Sequence, residues 1–211
     1  MKKYIIGLSI AAVLFTGCAN TGSSAQPHYI NQEKTGTSQA MTLGLDYQDF
    51  RKAAMDAVQS MLRSGALNRP GGGRYVLAIS DIVNDTTQRI DMDQLIKSIR
   101  IALLQSGKVV VTTAISRTRG AKAEDEMTMR VRGLRKNSEF NQRNVAKKGQ
   151  MVAPDYSLSG KIIQRNSTLP NGEMKVDYYF QLTLTDLTTG LAYWEGETVI
   201  QKAGSGKTVN W

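Results

Sequence analysis

The last third of the chain reads as strand from end to end. Three stretches, "DYSLSGKIIQRNS" (155–167), "EMKVDYYFQLTLTDL" (173–187) and "LAYWEGETVIQKA" (191–203), are joined by turns at "LPNG" (169–172) and "LTTG" (187–190). Links that short can join only antiparallel neighbours, because a parallel pair needs a crossover of about a dozen residues or more. The chain is therefore committed to an antiparallel meander. In its middle strand Tyr178, Phe180, Leu182, Leu184 and Leu187 approximate one apolar face, and Thr183 and Thr185 take the other. Such alternation predicts one covered face and one wet face. Trp194 is expected to cover the sheet, and Glu195 and Glu197, two apart, to lie on its exposed face.

Upstream the pattern changes to strand, helix, strand. In "DYQDFRKAAMDAVQSMLRSG" the apolar residues Tyr47, Phe50, Ala54, Ala57, Val58 and Met61 recur at helical spacing. Asp46 suits the N-cap and Gly65 the stop. After "NRPGGGR", Tyr75 to Val83 is nearly all apolar and predicts a strand covered on both faces. Asp91 with Gln94 three residues on resembles a capping box. Leu95, Ile96, Ile99, Ala102 and Leu103 then line one helical face, Gly107 ends it, and "KVVVTTAI" is a second strand. This is the sequence of a right-handed βαβ crossover. Two further helical stretches are expected, "KAEDEMTMRVRGLRK" and "SEFNQRNVAKKG", with Glu124, Asp125 and Glu126 as the acidic first turn of one of them. The fold class that follows is α/β: a small mixed sheet of about four to five strands with helices packed on it.

The chemistry available is narrow. The single cysteine, Cys18, and the single histidine, His28, both lie before the patterned region. A domain without either lacks Ser-His-Asp and Cys-His nucleophile systems and the soft or imidazole ligands of zinc. We therefore expect no enzyme, no metal and no cofactor. "GSGKT" (204–208) resembles part of a phosphate-binding loop, but Gln201 stands where the first glycine belongs and only three residues follow. It is read as a frayed end, with no nucleotide.

The formal charge is +9, and the excess is local. Arg117, Arg119, Lys122, Arg130, Arg132, Arg135, Lys136, Arg143, Lys147 and Lys148 face only Glu124, Asp125, Glu126 and Glu139. Two readings stand side by side: a positive face for an acidic partner or polyanion, and solvated helix surfaces. The aromatic–basic interleaving of single-strand nucleic-acid binders is missing.

The N-terminus belongs to no fold. Met1, Lys2 and Lys3 precede the twelve-residue apolar run "YIIGLSIAAVLF", too short to span a bilayer but suited to a signal peptide. Thr16, Gly17 and Cys18 follow in an order that resembles a bacterial lipobox, with Phe15 where leucine is more common. The other reading is an ordinary cleavage site with a bystander cysteine. The lipobox reading makes residues 1–17 a removed signal peptide and Cys18 the lipid attachment point. It also makes 18–44 a tether, rich in Ser, Thr, Gly, Asn and Gln, and 45–211 a single domain. Without Lys2 and Lys3 the charge is +7, 25 basic against 18 acidic. Ala19, in place of an aspartate, points to sorting to the outer membrane, facing the periplasm. Export disfavours nucleic acid as a partner.

Taken in order, "YVLAISDIVNDTTQRIDMDQLIKSIRIALLQSGKVVV", "DYSLSGKI" and "YYFQLTLTDLTTGLAYWEGETVIQK" resemble the LpoB family of penicillin-binding-protein activator lipoproteins. The resemblance covers about residues 74–203 and the lipidated N-terminus. It implies a fold similar to the TolB N-terminal domain and a non-catalytic regulator of peptidoglycan synthesis. That regulator would be tethered to the outer membrane and would bind and stimulate a class A penicillin-binding protein. No motif carries over that family's partner-binding residues. Within the resemblance Asp81, Asn84 and Thr86 are expected to shape the turn leaving the first strand. Two other classes stay open: a curli-secretion-channel-like lipoprotein, for which no spare membrane strands are visible, and a structural lipoprotein that binds peptidoglycan through the basic face.

Overall fold

The computed structural model describes residues 28–29, 43–115, 117 and 124–205. Cys18, most of the tether, Arg119, Lys122 and residues 206–208 of "GSGKT" lie outside the described residues.

The elements are β1 (His28–Tyr29), α1 (Tyr47–Arg63), β2 (Tyr75–Asp85), α2 (Met92–Gln105), β3 (Val109–Val111), α3 (Met127–Gly133), β4 (Tyr156–Thr168), β5 (Met174–Asp186) and β6 (Ala192–Gly204). They form one mixed sheet in the order β1-β6-β5-β4-β2-β3. The three long C-terminal strands pair antiparallel, as their short turns require, with Thr168 opposite Met174 across the first turn. β2 is parallel to both neighbours. One neighbour is reached through α2 and the other through the long excursion after β3, so the βαβ unit and the meander share β2 as their seam.

Local chemistry sets the helix ends. The Asp46 side chain accepts from the amides of Gln48 and Asp49, while Asp49 returns a carboxylate to the Asp46 amide at 2.8 Å, a complete capping box. Asp91 accepts from Gln94 N at 3.0 Å, half of the corresponding arrangement. Gly65 and Gly107 take positive φ just past α1 and α2, where a side chain would be strained.

Both long helices cover the same face of the sheet. Phe50, Ala54, Ala57, Val58 and Met61 of α1 and Leu95, Ile96, Ile99 and Leu103 of α2 pack on Leu77, Ile79, Ile82, Leu158, Ile162, Phe180, Leu182 and Leu184. Trp194 packs partly buried against the same core, as expected of a sheet-covering aromatic. The far face carries Ser159, Lys161, Gln181, Thr183, Glu195 and Glu197, with Gln181 Nε2 donating to Glu197 at 2.7 Å. The α/β class with helices on a mixed sheet is therefore as the sequence predicts.

Several details differ. β2 is covered on one face only, and Val83 is 52% exposed, because among the described residues no helix packs on the far side. A bulge between Ile79 and Ile82 takes up Ser80 and Asp81, so that Leu77, Ile79 and Ile82 all stay on the core face. Asp81 is thus an exposed bulge residue and not part of the turn leaving β2. That turn does rest on Asn84, whose Oδ1 accepts from the Thr86 amide and hydroxyl and whose Nδ2 donates to Gln88 O at 2.7 Å. Leu187 falls in the β5–β6 turn and is exposed, one position out of phase with the buried even-numbered residues.

The expected helices after β3 are also revised. α3 runs only from Met127 to Gly133, followed by one tighter turn at Leu134–Lys136, and buries no residue. "SEFNQRNVAKKG" forms a chain of turns instead of a helix. There Gln142 Nε2 donates to the carbonyls of Leu134, Asn137 and Phe140, and the Asn137 and Asn141 side chains accept amides two residues on. Such side-chain bonds compete with helix, and no buried apolar face offsets them.

At the other end, Leu43 is fully buried against Val176 and Tyr178, although composition places it in the tether. The backbone of His28–Tyr29 pairs with Ala203 and Lys202, adding a short sixth strand at the edge.

Candidate functional site

The excursion between β3 and β4 carries most of the candidate binding residues. Its start is held to the sheet by Asp125 N donating to Thr113 O at 3.2 Å. Its end is held by Asp155, whose amide donates to Val76 O and whose carboxylate accepts from Val76 N, both at 2.7 Å. Between these anchors the segment stands on the surface. Met127, Met129, Val131, Phe140, Met151 and Val152 are all exposed, Val152 to 70%. α3 buries no residue, and Met127, Met129 and Val131 on it are exposed.

The basic residues predicted to form a face divide into two sets. Arg132 donates to Lys147 O at 3.0 Å and Arg135 to Ala146 O at 3.1 Å, so these two brace the turns 141–150 against α3. Arg130 pairs with Glu126 at 3.2 Å one turn away, a solvated pair worth at most about 0.5 kcal/mol. Arg117 pairs with Asp93 at the start of α2. Lys136, Arg143, Lys147 and Lys148 are exposed, and no ion pair is recorded for them among the described residues. They are the part of the predicted face that stays open to solvent.

Two charged clusters were not foreseen. In the first, Arg100 of α2, only 7% exposed, holds both carboxylate oxygens of Glu124, with Lys97 3.9 Å away. The Arg100 hydrogen bond, opposed by partial desolvation, holds the Glu124 carboxyl below its usual range. Glu124 is therefore a long-range ligand and not part of the first turn of α3. In the second, Lys202 of β6 is fully buried against Asp49 of α1 and donates to Gly44 O at 2.6 Å. Beside it Tyr178 donates to Leu43 O at 3.2 Å, and Leu45 N donates to Gln88 at 2.7 Å. This cluster fixes where the N-terminal segment meets the domain. Burial raises the Tyr178 hydroxyl well above its ordinary pKa. A lone Arg or Lys in an apolar repeat (Arg100 between Ile99 and Ile101, Lys202 before Ala203) was the available sequence signal. Periodicity alone could not supply their partners.

The small α/β domain thus carries an exposed basic and apolar surface on one excursion and a polar clasp on its N-terminal segment. A family model described as the peptidoglycan-synthase activator LpoB matches residues 49–200, and the chain belongs to that family. Its class is thus that of peptidoglycan-synthase activators. Among solved structures, the LpoB C-terminal domain from Salmonella enterica matches at 16% identity, covering 72% of this chain and 97% of that one, with a TM-score of 0.40. The NMR structure of LpoB from Escherichia coli matches at 16% identity, covering 94% and 85%, also with a TM-score of 0.40. Lipoprotein GNA1162 from Neisseria meningitidis matches at 13% identity, covering 64% and 87%, with a TM-score of 0.36. No curated protein sequence matches. Among the described residues no helix is long and apolar enough to cross a membrane.

Proposed function

We propose that this chain is an outer-membrane lipoprotein, anchored through Cys18 and facing the periplasm, that binds and stimulates a class A penicillin-binding protein. Membership in the synthase-activator family over residues 49–200 is the observation that carries this reading. The apolar run ending in Thr16-Gly17-Cys18 supports the anchor. Multiple acyl chains on one cysteine exceed what stable membrane attachment needs.

Tethering raises the local concentration of the domain, so a weak interface suffices. Binding then favours the synthase conformation for which the surface has the higher affinity. Lys136, Arg143, Lys147 and Lys148, with Phe140 and the exposed methionines, are the surface we assign to this contact. An acidic patch with an apolar centre on the synthase would complement it. Reach limits the geometry. About 25 residues from Cys18 to Leu43 could stretch to roughly 85 Å, but pairing of His28–Tyr29 with β6 leaves about ten, roughly 35 Å.

The test uses the mature chain in detergent with a class A synthase of the same organism. Glycan polymerisation should accelerate, and a Lys136→Glu/Arg143→Glu/Lys147→Glu/Lys148→Glu variant should lose most of the effect. No acceleration by the unaltered chain would refute the activator role. Full acceleration by the variant would move the contact elsewhere.

A further inference from the structure

Between α2 and the chain leaving β3 lies a cavity of about 490 Å³ that the synthase reading does not use. Its size falls within the range of small-ligand sites, roughly 300–1,000 Å³. Ile79, Ile96 and Ile115 supply an apolar lining, and Thr112 and Thr113 supply hydroxyls. The charges are Lys97, Arg100 and Arg117 against Asp93 and Glu124.

Arg100 is the telling residue. A guanidinium at 7% exposure needs a matched anion. The anion it has, Glu124, is not buried with it, since that side chain is 45% exposed. Glu124 arrives from the loop ahead of α3, a helix that buries no residue. Arg100 Nε is also buried, and among the described residues it has no acceptor. A buried cation thus relies on a carboxylate borrowed from the surface, with donor capacity to spare.

We propose that this cavity binds the terminal carboxylate of a short peptide with small aliphatic side chains, and that Glu124 is an internal ligand holding that place. The planar fork of Arg100 matches a carboxylate in two parallel hydrogen bonds, the geometry Glu124 already uses. An incoming carboxylate exchanges with Glu124 one for one, so the cavity's charge balance is kept. The isoleucines suit alanine-sized side chains, and Thr112 and Thr113 can pair a peptide amide. A phosphate dianion fits less well, because the Asp93 carboxylate stands in the same wall. Displacing Glu124 lowers the apparent affinity, which gives the site a built-in threshold. The inference is independent of the synthase reading.

The test is a titration of the ¹⁵N-labelled mature chain with N-acetyl-alanyl-alanine, followed by NMR. Its C-terminal amide is the first control, and an amide-capped peptide with one internal aspartate is the second. The acid alone should shift the Lys97, Arg100 and Thr113 amides. Glu124→Ala should bind it about tenfold more tightly, equivalent to about 1.4 kcal/mol. The acid should also raise the melting temperature of Glu124→Ala more than that of the unaltered chain. This variant leaves the α2 core intact, so the outcome does not depend on the role of Arg100 in folding. No shift with the acid in either protein overturns the site. Equal binding of the amide overturns the carboxylate requirement. Equal binding of the capped aspartate peptide overturns the terminal carboxylate in favour of an acidic side chain. Unchanged affinity in Glu124→Ala overturns the internal-ligand role.

Discussion

Replacing Asp49 by Ala should destabilise this domain more than most single changes can. Lys202 has no exposed surface, and the Asp49 side chain is 2% exposed, so neither charge can fall back on water. Removing one partner of a buried ion pair costs about 3–5 kcal/mol, and Asp46, whose partly exposed carboxylate stands 4.0 Å from Lys202 Nζ, places Asp49→Ala toward the lower end. Lys202→Met is expected to cost a similar amount for the converse reason. The double variant removes both charges. Its residual loss is one hydrogen bond each at Gly44 O and Asp46 N, together about 2 kcal/mol. The cycle should therefore show a coupling energy of about 3 kcal/mol or more. For a domain of this size the single variants should melt about 6–20 °C lower. Urea unfolding followed by circular dichroism on all four proteins measures the cycle. Additive single effects, or an Asp49→Ala cost below about 1 kcal/mol, would refute the reasoning. The pair also has an architectural consequence: it joins α1 to β6 across 153 residues. Its loss should loosen the attachment of residues 43–46, read as faster amide exchange there.

Acid should release the Glu124 contact. Its carboxyl is held below the ordinary 4.5, so the stabilisation it brings is present above that value and is lost as pH falls through the lower, folded one. Glu124→Gln should flatten that part of the stability–pH curve, measured by urea unfolding at successive pH values. Gly160→Ala should cost about 1–3 kcal/mol, because a Cβ there would stand 2.5 Å from Gln181 O and 2.8 Å from Leu182 Cδ2 on the core face. A thermal melt decides it. Cys18→Ser should leave the chain unprocessed or release it from the membrane, and unchanged processing and membrane fractionation would exclude lipidation at Cys18.

Elements whose logic is local were legible in the chain. Asp46 and Gly65 bracket α1, Asp91 and Gly107 bracket α2, and the turns at 169–172 and 187–190 dictate the meander. The basic composition of the 117–148 excursion was legible too. The use of its residues was not, since whether Arg132 braces a carbonyl or meets a partner depends on where the chain returns fifteen residues later. The misread helix at 138–149 has the same origin. Its spacing permits a helix, but helix formation needs a buried face to reward it, and none of residues 138–149 is buried.

From the chain alone came the long helices α1 and α2 with their ends, the long strands, the antiparallel meander and the apolar run before Cys18, because each depends on neighbours within a few residues, and the family, which rests on the order of several such stretches. Tertiary structure alone decided which face of β2 is covered, that a bulge at Ser80–Asp81 keeps Ile82 inward, and that Leu43 belongs to the core. It also decided that Arg100 meets Glu124 and Lys202 meets Asp49. Those pairings join positions 24 and 153 residues apart. A buried charge chooses its partner by proximity in space, and only the closed fold defines that proximity.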